Sequence, residues 1–309
     1  MHLTADWPSL ADELELADVL FGGSGHELVA SWLDDELSRV DDMEFARSFS
    51  DHIDLPGVHV EDYLHRRIRT SSGALLGGIR FFGRDINRPF VEIIAHSFED
   101  LDRLCDCVSR EWSMFAPPLL RLRARPGRLT GANIVLDKSI YAARYSDMRP
   151  PASHVWLDHF DRVEDAAAIV NTRYQHLATG DPALARNVFP STAADLQTWH
   201  DSGQLRAVRT GDTVVGLLAV VPGRVRWIAG DEINEEVIEV EHRGHGYASL
   251  AQAAWAAHIA RDHQHELLVG TVDRLNTSSR RTAQIAGRRR VLDTVFVSLH
   301  RFSSSAGRS

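Results

Sequence analysis

The sequence predicts an α/β fold in which a mixed central sheet carries helices on both faces. Two observations support this prediction: strand-like and helical segments alternate through both halves of the chain, and 309 residues are about twice a typical domain length. Hydrophobic residues make up 44% and charged residues 25%, which is enough apolar material for two buried cores. We therefore expect two α/β domains in tandem, at residues 1–150 and 151–303, with a disordered tail at 304–309.

The first half opens with acid-rich segments whose apolar spacing predicts helices at residues 10–20 and 27–49. Alternating or apolar runs, proline breaks and a turn then predict the remaining elements: strands at 73–82 and 90–96, a helix at 98–114, and strands at 119–124 and 133–136. The proline-rich segment RPPAS at 149–153 predicts the linker between the two domains.

The second half begins with a predicted strand at 154–160, a helix at 164–177 and a short helix at 193–200 capped by Ser191 or Thr192. The same patterns predict the later strands at 205–210, 213–221, 225–229, a run ending at 240, 266–272 and 292–299. Two further helices are predicted at 247–262 and 278–286.

Charge and composition disfavour several classes of protein. The formal net charge of −9 disfavours a general nucleic-acid binder. The first residues lack the pattern of a signal peptide, and the longest apolar run, 214–221, is too short to span a bilayer, so we expect a cytoplasmic protein without a membrane partner. The two cysteines read as buried fillers, and the histidine pairs at 242/245 and 263/265 have no third ligand, so no metal is expected.

The most informative segment is RGHGYA at residues 243–248, which follows a strand-like run and opens an alanine-rich helix. A glycine turn at a helix start presents free N–H groups at the positive end of the helix dipole, where phosphate groups bind. Gly244 and Gly246 permit close backbone approach because they lack Cβ atoms, and Arg243 adds a cation. The segment is neither a Walker loop nor a full GxGxxG, and a glycine turn alone is often only a helix start.

In its R-x-x-G-x-A pattern the segment resembles the [Q/R]-x-x-G-x-[G/A] pyrophosphate loop of the GNAT superfamily of N-acetyltransferases. Farther along, Asn276 and Gly287 match an asparagine after the fifth strand and a glycine that ends a short helix in that family. The resemblance covers residues 154–302 and implies the acyl-CoA N-acyltransferase fold with acetyl-CoA as cosubstrate. The cofactor-binding residues that it implies are Val237, Ile238, Arg243, Gly244, His245, Gly246, Tyr247, Ala248 and Asn276.

Two positions depart from the family pattern. The family often has a tyrosine, acting as general acid toward the departing thiolate, at the position of Ala283, and an aromatic residue at the position of Arg288. Tyr247, Tyr174 and solvent are the alternative proton donors. Arg288 belongs to a basic cluster that could touch the 3′-phosphate of CoA or a nucleic acid, but such runs are more often a solvated face, which we expect here.

The candidate bases are carboxylates that precede the glycine turn. Amide formation from a thioester needs an uncharged amine, so a base must accept a proton. In a regular strand Glu232, Asn234 and Glu236 share one face. Glu232 lies 11 residues before Arg243, the offset of the catalytic glutamate in histone-acetyltransferase-like members, whereas Glu236 lies nearer the strand splay that exposes backbone to pantetheine. We predict Glu236 as the base, ahead of Glu232; the alternative is that each is a surface carboxylate.

The first half resembles the same family only in outline. At residues 96–104 the segment HSFEDLDRL follows a predicted strand without glycine or arginine, and carboxylates at a helix start repel pyrophosphate. We therefore expect a degenerate GNAT-like or accessory domain in the first half and one working site in the second.

The resemblance implies an acetyl-CoA-dependent N-acetyltransferase that moves an acyl group to a small-molecule or peptide amine by direct transfer in a ternary complex. Two alternatives stay open. One is a non-catalytic acyl-CoA-binding or interaction module, and the other is a CoA-dependent enzyme of different chemistry on the same fold.

Overall fold

The computed structural model describes residues 6–53, 55–263 and 265–299, which form two compact units. Unit 1 takes the described residues up to Asp137 and those from Asp293 onward, and unit 2 is Lys138–Leu292. No helix in the described ranges is long and apolar enough to cross a membrane. The predicted tail at 304–309 lies outside the described residues.

The α-helices of unit 1 that lie wholly within the described residues are α1 (Ala11–Phe21), α2 (Gly25–Ser38), α3 (Met43–Ser50) and α4 (Leu101–Glu111). Its strands are β1 (Arg66–Thr70), β2 (Gly73–Phe81), β3 (Pro89–His96), β4 (Leu119–Ala124) and the second half of β11 (Arg289–Ser298). They are ordered β1-β2-β3-β4-β11, and every neighbouring pair is antiparallel except β3 and β4, which α4 connects.

Unit 2 contains five helices: α5 (Val163–Gly180), α6 (Pro182–Ala185), α7 (Ala193–Asp201), α8 (Tyr247–His263) and α9 (Thr277–Ala286). Its strands are β6 (Trp156–Asp158), β7 (Leu205–Thr210), β8 (Thr213–Val225), β9 (Ile228–Ile238), β10 (Leu267–Asp273) and most of β5 (Ile134–Arg144). The order is β6-β7-β8-β9-β10-β5, and only β9 and β10 are parallel, with α8 as their crossover.

The two units therefore repeat one pattern: antiparallel strands, a parallel step made by a helix, and a final antiparallel strand. The final strand comes in each case from the other half of the chain. Residues 138–144 of β5 pair with β10 in unit 2, and residues 293–298 of β11 pair with β4 in unit 1. The linker predicted at 149–153 falls within unit 2.

Helices cover both faces of the unit 2 sheet, as the sequence predicts. On one face Val170 of α5 and Leu196 of α7 pack on Leu217 of β8 and the neighbouring strands. On the other face Ala251 and Trp255 of α8 pack on the alternate residues of the same strands. The predicted fold class, a mixed sheet with helices on both sides, is confirmed in this unit.

Some predicted elements need correction. The single helix predicted at 27–49 is two helices, because α2 ends at Ser38 and the Asp42 side chain caps α3 by accepting from the N–H groups of Glu44 and Phe45. The segment predicted as a separate strand at 225–229 spans a hairpin: Val225 ends β8, residues 226–227 form a tight turn with Arg226 at φ +63°, and Ile228 and Ala229 begin β9. Strand β1 has no counterpart among the predicted elements.

Candidate functional site

The glycine turn links the end of β9 to the start of α8. Gly244 and Gly246 adopt φ values of +87° and +77°, a left-handed conformation that favours glycine. The backbone N–H groups of residues 244–249 donate to no carbonyl or side chain among the described residues. These groups point from a helix N-terminus that has no carboxylate cap, which is the arrangement that binds phosphates.

A groove of about 410 Å³ runs beside this turn. The predicted cofactor residues that line it are Ile238, Arg243, Gly244, Gly246, Tyr247, Ala248 and Asn276. Two predicted residues do not line it. The Val237 side chain is 2% exposed and packs in the core, and the His245 ring stacks on Tyr247 with centroids 5.5 Å apart.

Strands β9 and β10 separate immediately above the groove. Their ladder joins only Asp231 to Leu268 and Glu232 to Val269, in two strands that the structure describes throughout. A cavity of about 320 Å³, here called the wedge cavity, opens between the separated strands; its walls include residues 232–236 of β9 and 270–272 of β10. The wedge cavity and the groove share four lining residues, Arg173, Glu236, Asn276 and Ser279, and therefore meet.

A β-bulge at Asn234 changes the faces of β9. The register against β8 skips one residue there, since Ala219 pairs with Glu235 while Val220 pairs with Ile233. Asp231 and Glu236 are five positions apart, which in a regular strand would place them on opposite faces. Because of the bulge both point to the α8 side: Asp231 bonds Tyr145, and Glu236 bonds Gln252 of α8. The expectation that Glu232 and Glu236 share one face is thus wrong, yet both line the wedge cavity.

Glu236 lies where the wedge cavity meets the groove. Its Oε1 accepts a hydrogen bond of 2.8 Å from the side-chain amide of Gln252. Burial raises the pKa of Glu236, while the Gln252 bond and the charge of Arg288 lower it. The Oε1 atom of Gln252 in turn accepts from Nε of Arg288 at 3.0 Å. Gln252 therefore connects the carboxylate to a buried guanidinium.

The two neighbouring carboxylates differ in their surroundings. Glu235 is 6% exposed and accepts hydrogen bonds from the backbone N–H and hydroxyl of Ser191, so it fixes the segment before α7. Glu232 is half-buried where β9 and β10 part; burial raises its pKa and the charge of Lys138 lowers it. Glu235 is thus engaged in fixing that segment, whereas Glu232 and Glu236 remain the two candidate bases named from the sequence.

The predicted proton donors also occupy different places. The Tyr174 hydroxyl donates to the carbonyl of Phe189 at 2.9 Å, and this tyrosine lines the wedge cavity. Burial and the charge of Glu235 raise the pKa of Tyr174, so its phenol stays protonated at neutral pH. Tyr247 lines the groove, and Ala283 is fully buried against Tyr141 and Val272.

Arg288 corrects the expectation of a solvated basic face, because it is 4% exposed and lines the wedge cavity. Gly287 ends α9 at φ +103°, and Arg288 lies between this glycine and the start of β11 at Arg289, with its side chain turned inward. The position directly after a helix-ending glycine was the available sequence signal, although the run of arginines around it obscured that signal. No sequence pattern pointed to Gln252 or Arg173.

Unit 1 has a different arrangement at the corresponding helix start. The Asp100 side chain caps α4 by accepting from the N–H of Asp102 at 2.8 Å. A carboxylate therefore occupies the position where unit 2 leaves its N–H groups free, as HSFEDLDRL predicts.

The glycine turn, the crossover helix and the splayed strands stand in the order that the GNAT resemblance implies, and solved structures of that family are similar in fold. A GNAT-family acetyltransferase from Colwellia psychrerythraea is 10% identical, with a TM-score of 0.47, 85% of this chain covered and 96% of that one. A GCN5-related N-acetyltransferase from Sphaerobacter thermophilus is 14% identical, with a TM-score of 0.49 and coverages of 84% and 92%. A tandem GNAT protein from the clavulanic acid biosynthesis pathway is 13% identical, with a TM-score of 0.42 and coverages of 89% and 96%. No protein-family model and no curated protein matches the chain.

Proposed function

We propose that the protein is an acetyl-CoA-dependent N-acetyltransferase whose single site lies in unit 2. The observation that carries the proposal is the junction of the two cavities: a groove beside free helix N-terminal N–H groups opens into a wedge cavity lined by carboxylates. A groove suited to a pyrophosphate and a second space for an acceptor are what transfer in a ternary complex requires.

In this proposal the N–H groups of residues 244–249 and the Arg243 guanidinium bind the pyrophosphate of acetyl-CoA. The backbone of residues 236–238, which β10 leaves unpaired on that side, binds pantetheine and polarises the thioester carbonyl. The thioester then lies at the junction, beside Glu236 and Asn276. The side-chain oxygen of Asn276 caps α9 by accepting from the N–H of Ser279, which leaves the amide nitrogen as the donor that this side chain can offer to a ligand.

The acceptor enters the wedge cavity and presents its neutral amine to the thioester carbon. The carbon–nitrogen bond forms, the carbon–sulfur bond breaks, and the amine proton passes to Glu236 directly or through water. The thiolate of CoA takes a proton from solvent or from Tyr174, whose neutral phenol lines the same cavity. Glu232 is the second candidate for the base, at the closed end of the wedge.

A non-catalytic acyl-CoA-binding module is the rival function, and the buried Ala283 favours it because a tyrosine acid is missing there. Incubation with acetyl-CoA and a panel of amines distinguishes the two. The release of the free CoA thiol measures the reaction rate, and mass spectrometry identifies the acetylated product. Acetylated product that depends on enzyme concentration supports the transferase. Tight CoA binding without turnover of any amine would instead assign the module.

A further inference from the structure

The Arg288 guanidinium is a buried cation on the wall of the wedge cavity. Its side chain is 4% exposed, and only Nε is bonded to a described residue, Gln252. The Nη1 group is buried without any hydrogen-bond partner in the described ranges. Native structures seldom leave a buried guanidinium donor unpaired, so this group requires an explanation.

Gly270 of β10 makes room for this group. A Cβ atom at Gly270 would lie 3.0 Å from Nη1, so the guanidinium occupies the space that a side chain would take. Both residues line the wedge cavity. The unpaired nitrogen therefore lies beside the backbone of β10, inside the splay.

No carboxylate in the part of the chain that the structure describes forms an ion pair with Arg288. Glu236 is attracted to it, but Gln252 stands between them and bonds to both. Burial lowers the pKa of Arg288 to about 10, and the guanidinium stays charged at neutral pH. A desolvated charge without a paired anion is costly, whereas an anionic ligand would compensate it.

Arg288 lines the wedge cavity and not the groove, in contrast to Arg243, which lines only the groove. Arg173 lines both, so Arg288, unlike these two arginines, faces only the space assigned to the acceptor. The anion that Arg288 binds must therefore belong to the acceptor.

We propose that the acceptor is an amine that also carries a carboxylate, and that this carboxylate binds Arg288 while the amine faces Glu236. The inference rests on the proposed N-acetyltransferase function and names its substrate class. The Nε atom is held by Gln252, which leaves the two terminal nitrogens of a planar fork for the two oxygens of a carboxylate. The carboxylates that also line this cavity suit the ammonium of the free zwitterion.

The first test measures binding and does not require turnover. Calorimetry of the CoA-loaded protein is run with the free amino acids and with their primary amides, which keep the α-amine and lose the negative charge. We expect at least one amino acid to bind about 10- to 100-fold more tightly than its amide, as for a hydrogen bond to a charged group. Equal affinity throughout the panel, or no binding of any amino acid, would overturn the inference.

The second test uses variants of the arginine. Arg288→Met removes the charge at similar length, and Arg289→Met is the matched control because Arg289 is the exposed neighbour on β11. We expect Arg288→Met to abolish the preference for the acid over the amide while CoA affinity and amide binding stay unchanged. An unchanged preference would contradict the inference, and a uniform loss of acid and amide binding would indicate a structural role.

Gly270→Ala tests the same site should Arg288→Met not fold. Its methyl group would lie 3.0 Å from Nη1 and displace the guanidinium, which keeps its charge. We expect the acid preference to fall and CoA affinity to stay unchanged.

Turnover separates this inference from the proposed function. The α-amine of an amino-acid amide loses its proton more easily than the α-amine of the free amino acid, so intrinsic reactivity favours the amide. A higher kcat/KM for the acid therefore supports the carboxylate site. If the amides are acetylated with a kcat/KM equal to or above that of the acids, the inference fails and the transferase stands. If nothing is acetylated but the acid preference in binding depends on Arg288, the carboxylate site stands and the transferase fails.

Discussion

The side-chain amide of Gln252 donates to Oε1 of Glu236 across 2.8 Å, from α8 to β9. Gln252 is 0% exposed and lines neither cavity. Its hydrogen bond favours the ionised form of Glu236 and lowers the pKa of that carboxylate, in opposition to the larger effect of burial. Gln252 is therefore a positioning residue that sets the proton affinity of the proposed base.

Replacing Gln252 tests this role through the pH profile. A base works when ionised, so kcat/KM falls as the pH drops through the pKa of Glu236. Gln252→Met removes the bond to the ionised form, which raises that pKa, and we expect the acidic limb to move to higher pH. Gln284→Met, on the exposed side of α9, is the control. A rate loss of equal size at every pH would point to damage to the structure instead.

The base itself is tested by Glu236→Gln. We expect kcat to fall roughly a hundredfold, as is typical for a lost general base, with little change in acetyl-CoA affinity. Glu232→Gln is the comparison, and a larger loss in that variant would transfer the role to Glu232. If both single variants and the double variant match the wild type between pH 6 and 9, neither carboxylate is the base.

The phosphate site is tested by Gly246→Asp. A Cβ at this position meets only the Ser249 hydroxyl, at 3.8 Å, so the substitution acts through the negative charge and the positive φ. We expect calorimetry to show one CoA per chain for the wild type and none for the variant. Gly211→Asp is the matched control, with φ +54° and no neighbour within 4 Å in the turn between β7 and β8. Equal CoA affinity in Gly246→Asp would remove the basis of the cofactor assignment.

Acid stability in unit 1 depends on His65. This imidazole is 1% exposed, and burial together with the charge of Arg80 lowers its pKa to about 3. Below about pH 6.5 the unfolded chain takes up a proton on this histidine and the folded chain does not. The contribution of His65 to the free energy of unfolding is therefore full above that pH and declines below it, by up to about 1.4 kcal/mol per pH unit. We expect His65→Gln to flatten the fall in Tm between pH 6.5 and 4, and the exposed His52→Gln to leave the slope unchanged.

The buried Ala283 leads to a prediction about the missing tyrosine. Ala283 is 0% exposed in a cluster with Tyr141 and Val272. Ala283→Tyr would overpack this cluster and lower the free energy of unfolding by about 1–3 kcal/mol without raising kcat. Denaturant unfolding measures the cost, with Gln284→Tyr on the exposed side of α9 as control. A stable, faster Ala283→Tyr enzyme would show that the phenol reaches the thioester.

Most elements of unit 2 were predictable because their signals are local. Thr192 caps α7 with its own side chain, and the glycine turn marks the junction of β9 and α8 in the sequence itself. The break at Asp42 was missed because apolar spacing on both sides of it continues a helical pattern. Strand β1 was missed because its inward residues are only half-buried, which leaves little apolar alternation.

The site was less predictable, because its geometry depends on pairing between distant strands. The bulge at Asn234 arises in the register between β8 and β9, and one skipped residue reverses the faces of everything beyond it. The role of Gln252 depends on the meeting of α8, β9 and the residue between α9 and β11, which no spacing in the sequence encodes. In the sequence Arg288 looks like the exposed Arg289 beside it, and only the packing shows that Arg288 is buried.

The exchanged strands constrain the order in which the chain acquires its structure during synthesis. Residues 138–144, which cover the outer side of β10, leave the ribosome before the rest of unit 2, whereas residues 293–298, which complete the sheet of unit 1, leave it after all of unit 2. The nascent unit 1 therefore exposes the edge of β4 until residues 293–298 have been synthesised. Unpaired edges of this kind attract foreign strands. A stop codon shortly before residue 293 would consequently spare every proposed catalytic group and still yield a chain prone to aggregate.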